Sequence, residues 1–334
     1  MADRRFPFLL SGVSKEYIWG GTKLIREYGR QGVRDTMAEY WGCSTHPDGV
    51  SRSASGAFEG ETLDVILRSH PEYIGEKNVL AASRLEGSLP ILVKLIDATQ
   101  DLSIQVHPDD DYAMRFENGQ RGKSEFWYIL EADPGAGLIY GFYRDITPET
   151  LGRALEEGTV LNYVQKVPVR RDDIFYVEAG TVHAICAGTV LAEIQESSNL
   201  TYRLYDYDRK DKNGRKRDLH IDKAMQVLDF SGSPQPRQPM RLLRYVPGMA
   251  EEFLYRCRYF ETARLLVLTD TDPGAELKSG PGSFEILLCT EGKGRLCAPD
   301  MEDISYAKGD CIFIPAGSVP MKLYGRSSLL RIHC

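Results

Sequence analysis

Asp173-Ile-Phe-Tyr-Val-Glu-Ala-Gly-Thr-Val-His183 recurs later in the chain as Asp310-Cys-Ile-Phe-Ile-Pro-Ala-Gly-Ser-Val-Pro320. Each copy reads as a turn, a short apolar strand, an Ala-Gly turn and a second strand. Upstream, Glu125-Phe-Trp-Tyr-Ile-Leu-Glu131 lies on Glu285-Ile-Leu-Leu-Cys-Thr-Glu291. The first copy has a longer spacing between its two segments, by about one helix and its flanks. Thr147-Pro-Glu-Thr-Leu-Gly-Arg-Ala-Leu-Glu-Glu-Gly158 supplies that helix, with Thr to cap it, Pro in its first turn and Gly to end it. The simplest account is one β unit used twice, with a helical insertion in the first.

Outward from the repeat, the chain is rich in short Val, Ile, Leu, Tyr and Phe runs separated by Gly, Pro and Asp turns. Helical patterns are few; besides 147–158 they cover Thr62–Ser69 and Asp222–Phe230. The turn-strand-turn pattern resembles the cupin superfamily. The expected fold is therefore mainly β, two cupin-like jelly-roll barrels with a few short helices. Ser231-Gly-Ser-Pro-Gln-Pro-Arg-Gln-Pro-Met240 cannot sustain helix or strand ladders and reads as a linker. The expected domains are 1–230, with the helical insertion, and 241–334. Pro320 stands where the first copy has His183. The second barrel is therefore expected to bind no metal.

A length of 334 residues suits about two domains, and 42% hydrophobic with 27% charged residues is ordinary for a soluble globular chain. The net charge of −7, with both signs mixed, disfavours non-specific nucleic-acid binding but not a phosphorylated small molecule in a locally cationic pocket. Seven cysteines without a C-x-x-C pair read as free thiols in a reducing compartment. No signal peptide or membrane-length apolar run is seen, so a cytoplasmic protein is expected.

Leu102-Ser-Ile-Gln-Val-His107 alternates, so Ser103, Gln105 and His107 share one strand face and Ile104 and Val106 the other. Polar groups facing a barrel interior are costly unless a ligand or metal satisfies them. Lys123 and Glu125 share a face at the head of the next strand, His183 follows the Ala-Gly turn, Glu193 shares a face with Leu191 and Gln195, and Arg203 lies on a further alternating segment. Gln105, His107, Glu125 and His183 form a plausible set of oxygen and nitrogen donors. The set suits Zn²⁺, with Mn²⁺, Fe²⁺ or Co²⁺ as alternatives.

Several segments together resemble the type I phosphomannose isomerases, in particular the short bacterial form. They are Tyr17-Ile-Trp-Gly-Gly21, Glu39-Tyr-Trp-Gly-Cys-Ser-Thr-His-Pro-Asp-Gly49, Pro90-Ile-Leu-Val-Lys-Leu-Ile-Asp-Ala98, Leu102-Ser-Ile-Gln-Val-His-Pro-Asp-Asp110, Gly122-Lys-Ser-Glu-Phe-Trp-Tyr128, Ala179-Gly-Thr-Val-His183 and Ala192-Glu-Ile-Gln-Glu-Ser-Ser-Asn-Leu-Thr-Tyr-Arg203. The resemblance covers most of 10–230. It implies one Zn²⁺ per chain on Gln105, His107, Glu125 and His183, a catalytic Arg203, an active-site Lys123 and a sugar-phosphate contact at Ser103. Asn199 departs from the Asp common in relatives and is assigned no proton transfer. The implied reaction interconverts mannose 6-phosphate and fructose 6-phosphate through a cis-enediol. Glu193, facing the cavity, is the candidate base. The partner is then a small sugar phosphate, with no nucleic acid and no membrane, on a monomer or homodimer.

Two other functions fit these residues less well. A metal cupin oxygenase would prefer iron and more imidazole, and the amide of Gln105 with the cations Lys123 and Arg203 suits an anionic sugar better. A non-catalytic sugar-phosphate-binding protein has no need of every one of these residues. Gly119-Gln-Arg-Gly-Lys-Ser124 resembles the tail of a phosphate-binding P-loop but leads into a strand, not a helix, and is rejected. Arg209-Lys-Asp-Lys-Asn-Gly-Arg-Lys-Arg217 reads as a solvated hairpin tip around its Asn-Gly, with a cationic rim as the functional alternative. Trp19, Trp41 and Trp127 read as core.

Overall fold

The computed structural model describes residues 4–78, 88–210, 213–236, 238–269 and 273–334. Residues 211 and 212 of the basic run and residue 237 of the linker lie outside the described residues.

The expectation of a mainly β, cupin-like fold holds. The first barrel is two antiparallel sheets face to face. One runs in the order Ile174–Val177, Glu125–Ala132, Thr189–Glu196, Ile91–Ala98, Glu39–Cys43 and Val13–Lys15. The other runs Tyr202–Tyr205, Ile104–Val106, His183–Ile185, Gly137–Phe142 and Val164–Pro168. Trp127, Ile129 and Leu191 of the first sheet meet Leu138 and Ile185 of the second to fill the interior below the polar end.

Strand alternation decides what each face does. Every residue of Ile91–Ala98 is buried, because both faces of this central strand are covered. Ile91, Val93 and Leu95 join an outer core, while Ile96 faces the barrel interior and Lys94 its cavity. In the other sheet Ile104 and Val106 turn outward, under Leu151 of helix Pro148–Glu156 and Ala224 of helix Ile221–Val227. The first of these helices starts as its sequence predicts, with Thr147 Oγ1 accepting the Thr150 amide at 3.2 Å. The second stops at Val227, short of the expected Phe230. Leu228 turns extended and the Asp229 amide donates to the Gly180 carbonyl at 2.9 Å.

The second barrel is a ten-stranded antiparallel sheet dominated by the long strands Glu285–Cys297 and Met321–His333. It encloses its own core of Leu265, Leu287, Ile312, Leu323 and Leu329. A third core lies between the barrels, where Phe126, Tyr128 and Ile194 of the first meet Ile286, Leu330 and Ile332 of the second. The strand Phe8–Ser11 is hydrogen-bonded along Cys311–Ile314, so the start of the chain extends the second barrel's sheet. The sequence division at 231–240 is thus crossed by the first strand. Phe8 and Leu10 enter the core between the barrels, and Leu9 packs on the core of the second.

The repeat is visible in the strand register. Glu125 pairs Val177 and Gln195; Glu285 pairs Ile314 and His333. Each long strand carries a bulge at the corresponding residue, Leu130 and Thr290. Gly180 and Gly317 take the same turn with φ of 90° and 68°, a conformation that favours glycine.

Candidate metal centre

His107 follows the strand Ile104–Val106, His183 opens His183–Ile185 and Glu125 opens Glu125–Ala132, so three short strands deliver three donors to one end of the barrel interior. One ligating atom from each lies within 4.8 Å of the others. His107 Nε2 is 3.1 Å from His183 Nε2 and 3.2 Å from Glu125 Oε1, and His183 Nε2 is 3.7 Å from Glu125 Oε2. All three side chains are almost fully shielded from solvent.

The donor set fits a divalent cation. Nδ1 of His107 lies 2.8 Å from the Leu200 carbonyl, and Nδ1 of His183 lies 2.8 Å from the Thr181 carbonyl. A carbonyl only accepts, so both rings carry their hydrogen on Nδ1 and present an Nε2 lone pair. Burial, with the Lys123 ammonium adding to it, pushes His107 down to about 3. Burial also lowers His183. Both rings are therefore neutral. Burial alone would raise the Glu125 carboxyl, but the Lys123 ammonium holds it well below the carboxylate range. Two lone pairs and a carboxylate thus converge, and neither Glu125 oxygen has a hydrogen-bond donor in line. The Lys123 ammonium, 2.5 Å from Oε1, offsets that charge only in part. Gln105 adds a fourth polar group, its amide 3.3 Å from His183 Nε2. The amide orientation that presents Oε1 instead is the one a metal would select.

A cavity of about 250 Å³ opens beside this cluster. Ser103, Gln105, Lys123, Glu193 and Arg203 all line it, so the structure brings every site residue chosen from the sequence to one place. Arg203 Nε donates to Ser103 Oγ at 3.1 Å. Glu193 is buried; Trp127 Nε1 donates to its Oε2 at 2.9 Å, and Lys94 Nζ lies 3.0 Å from its Oε1. Burial, then the Glu125 charge, raises the Glu193 carboxyl, against the pull of Lys94.

Tyr17, Glu39, Lys94 and Arg217 also line the cavity and were given no role from the sequence. For Lys94 a signal existed, since a lysine in the middle of an apolar strand must be paired when buried. Burial disfavours its charge, but Glu193 and Glu39 more than compensate. Residues 213–216 of the basic run form an exposed tip, as expected, while Arg217 at its foot lines the cavity. Arg209 and Arg217 fold back onto Asp206, with Arg217 Nε 2.8 Å from Oδ2, while Lys216 pairs Asp208 at the surface. Trp41 and Trp127 are core, as expected; Trp19, also buried, lines the cavity edge.

Two small sheets closing on a buried imidazole–carboxylate cluster, with cations around an adjoining polar cavity, define a metal-binding barrel enzyme of the cupin type. The family profile for the phosphomannose isomerase type I catalytic domain matches residues 8–130. The chain is 35% identical over 328 residues to the Bacillus subtilis mannose-6-phosphate isomerase ManA, covering 98% of each. A crystal structure of the mannose 6-phosphate isomerase from Bacillus subtilis superimposes with a TM-score of 0.87 at 31% identity, covering 98% of this chain and 99% of that one. A mannose 6-phosphate isomerase solved with zinc bound shares the fold at a TM-score of 0.74 and 18% identity, covering 98% and 99% of the two chains. The chain belongs to the type I phosphomannose isomerase family.

Proposed function

We propose that this protein interconverts mannose 6-phosphate and fructose 6-phosphate, with one Zn²⁺ held by His107, Glu125, His183 and Gln105. The observation that carries the reading is the convergence of two imidazole lone pairs and a carboxylate that Lys123 offsets only in part, beside a cavity lined with lysine and arginine. When bound, the zinc supplies Lewis-acid stabilisation of the negative charge that forms on the sugar oxygens.

The remaining work falls to the chain's own side chains. Ser103, oriented by Arg203, takes the phosphate end of the opened sugar. Lys123 and Arg203 offset the charge of the cis-enediolate. Glu193 moves the proton from C2 to C1. Its Oε2 is fixed by Trp127, and its Oε1, with Lys94 Nζ 3.0 Å away, takes up and returns the proton. Its raised carboxyl brings the acid and base forms closer in energy near neutrality. Isomerisation needs no redox cofactor, because the substrate's own C1 and C2 exchange oxidation states.

The division into a catalytic unit (1–230), a linker (231–240) and a metal-free second barrel (241–334) accompanies this reading. Its support is the Arg331 fork on Glu285, where the first barrel leaves Glu125 to a metal. Among the described residues no helix is long and apolar enough to cross a membrane, and all seven cysteines are free thiols. A cytoplasmic monomer or homodimer fits these features. The test is a coupled assay for fructose 6-phosphate formed from mannose 6-phosphate on enzyme with its zinc verified by elemental analysis. Zinc-replete protein without turnover refutes the proposal.

A further inference from the structure

Lys123 is held by its backbone from three sides. The Gly122 amide donates to Asp110 Oδ1 at 3.0 Å, the Lys123 amide to the Pro108 carbonyl at 3.0 Å, and the Ser124 amide to Glu196 Oε1 at 2.9 Å. The fit is close at Gly122, where an added Cβ would meet Asp109 C and Asp110 N at 2.4 Å. Two carboxyl groups thus grip the amides on either side of the lysine whose ammonium sits on Glu125.

Glu196 is unusual among the buried acids. It is fully buried, and among the described residues no cation pairs with it. Its Oε2 has no donor, and besides Ser124 the group its carboxyl meets is the carboxyl of Asp110. Two ionised carboxylates in that contact repel; one shared proton turns the contact into a strong hydrogen bond. The surroundings decide which acid keeps the proton. Asp110 stands at a helix start, takes the Tyr259 hydroxyl at 3.3 Å on Oδ2 and has the Arg258 guanidinium 3.8 Å away. A hydroxyl donor and a cation thus lie on Asp110, and neither lies on Glu196 Oε2. Glu196 takes the Ser124 amide on Oε1, and its titratable neighbours besides Asp110 are Tyr259 and the Cys257 thiol, none of them a cation.

We propose that Glu196 carries a proton that it donates to Asp110, and that this proton-linked pair is a positioning device that fixes Gly122–Ser124 and with it the Lys123 ammonium. Glu196 touches no reacting atom; it acts through Lys123. The inference rests on the isomerase reading for its kinetic consequence but not for the proton itself. Burial and the neighbouring Asp110 carboxylate push the Glu196 carboxyl up to about 8, so the link opens as the pH rises through that value.

The decisive experiment compares the zinc-loaded wild type with Glu196→Gln and Glu196→Ala. Glutamine keeps a donor toward Asp110 and loses the titration. The wild-type kcat is expected to fall above pH ~8. Glu196→Gln should match wild type within about twofold at pH 7 and lack that fall. Glu196→Ala should lose about tenfold in kcat at every pH with KM nearly unchanged. In parallel, ¹³C NMR of carboxyl-labelled glutamate, with the Glu196 signal assigned by its absence from Glu196→Gln, follows the proton directly. A Glu196 signal that titrates below pH ~6, or an alkaline fall retained in Glu196→Gln, overturns the proposal. Wild-type protein without isomerase turnover refutes the functional reading instead, and the NMR titration then decides the shared proton alone.

Discussion

The two barrels put the same residue type at the same register and treat it in opposite ways. Glu125 and Glu285 open corresponding strands, each buried and each paired with the corresponding neighbours. Around Glu285, Arg331 closes a two-pronged ion pair, Nε to Oε2 at 2.8 Å and NH2 to Oε1 at 2.6 Å. The residue at Arg331's register in the first barrel is Glu193, which pairs Trp127 as Arg331 pairs Leu287. There a second acid replaces the guanidinium, Lys123 stands at the position of Ser283, and His183 at that of Pro320. A buried carboxylate must be neutralised by something. The second barrel does it with a side chain and closes the site. The first sets Lys123 on one oxygen, turns imidazoles that cannot donate toward the carboxylate and leaves room for a metal. Chemistry thus depends on which partner was withheld from an otherwise repeated carboxylate.

The sharpest way to break this comparison is to remove the two carboxylates separately. Glu125→Ala is expected to lose its zinc, measured by elemental analysis, and about a thousandfold or more of kcat/KM. Glu285→Ala should keep both zinc and activity within about twofold, because the two sites are separate. Equal loss of zinc in both variants would end the distinction.

Arg331→Met tests the other half. It leaves Glu285 buried without its cation and should cost about 3–5 kcal/mol in chemical denaturation, with zinc content unchanged. Adding Glu285→Gln should return most of that stability. If the double variant is no better than the single, the ion pair is not what holds this end of the second barrel.

Arg203→Ala should sharpen the separation of metal from electrostatics within the first site. A full zinc complement is expected together with a loss of about a hundred- to a thousandfold in kcat, as for removal of one donor to a developing oxyanion. Zinc loss in this variant would move Arg203 into the metal's support.

The smallest effect concerns a position three residues beyond Glu193 and Arg331, where the first barrel has Glu196 and the second Cys334. A carboxyl raised in the folded state from its usual 4.5 to about 8 stabilises the fold fully below pH ~4.5, and that contribution is lost as pH rises through about 8. Glutamine does not titrate. The Tm of Glu196→Gln relative to wild type should therefore grow from pH 5 to 8 and level off above. A difference that is flat with pH would mean that Glu196 is ionised in the native protein.

Much of the site was legible in the sequence for a local reason. Strand alternation has a period of two, so Ser103, Gln105 and His107 could be put on one face and Ile104 and Val106 on the other without knowing what lay opposite. The same logic put Lys123 with Glu125 and Leu191 with Glu193. The Ala-Gly turns exposed the repeat, and Pro320 marked where it diverges. Sequence alone therefore determined the β class, the doubled barrel and the residues that converge at the candidate metal centre. Other features depended on segments far apart in the chain, and no local period reports those. The tertiary structure alone decided that Phe8–Ser11 would join the second barrel's sheet, that Lys94 and Arg217 would complete the cavity, and that Asp206 would hold Arg209 and Arg217 in place. It alone set Arg331 on Glu285 and Asp110 beside Glu196. A charge buried in a barrel is stabilised by whichever side chain the fold carries to within a few ångströms, and that pairing is fixed only when the sheets close.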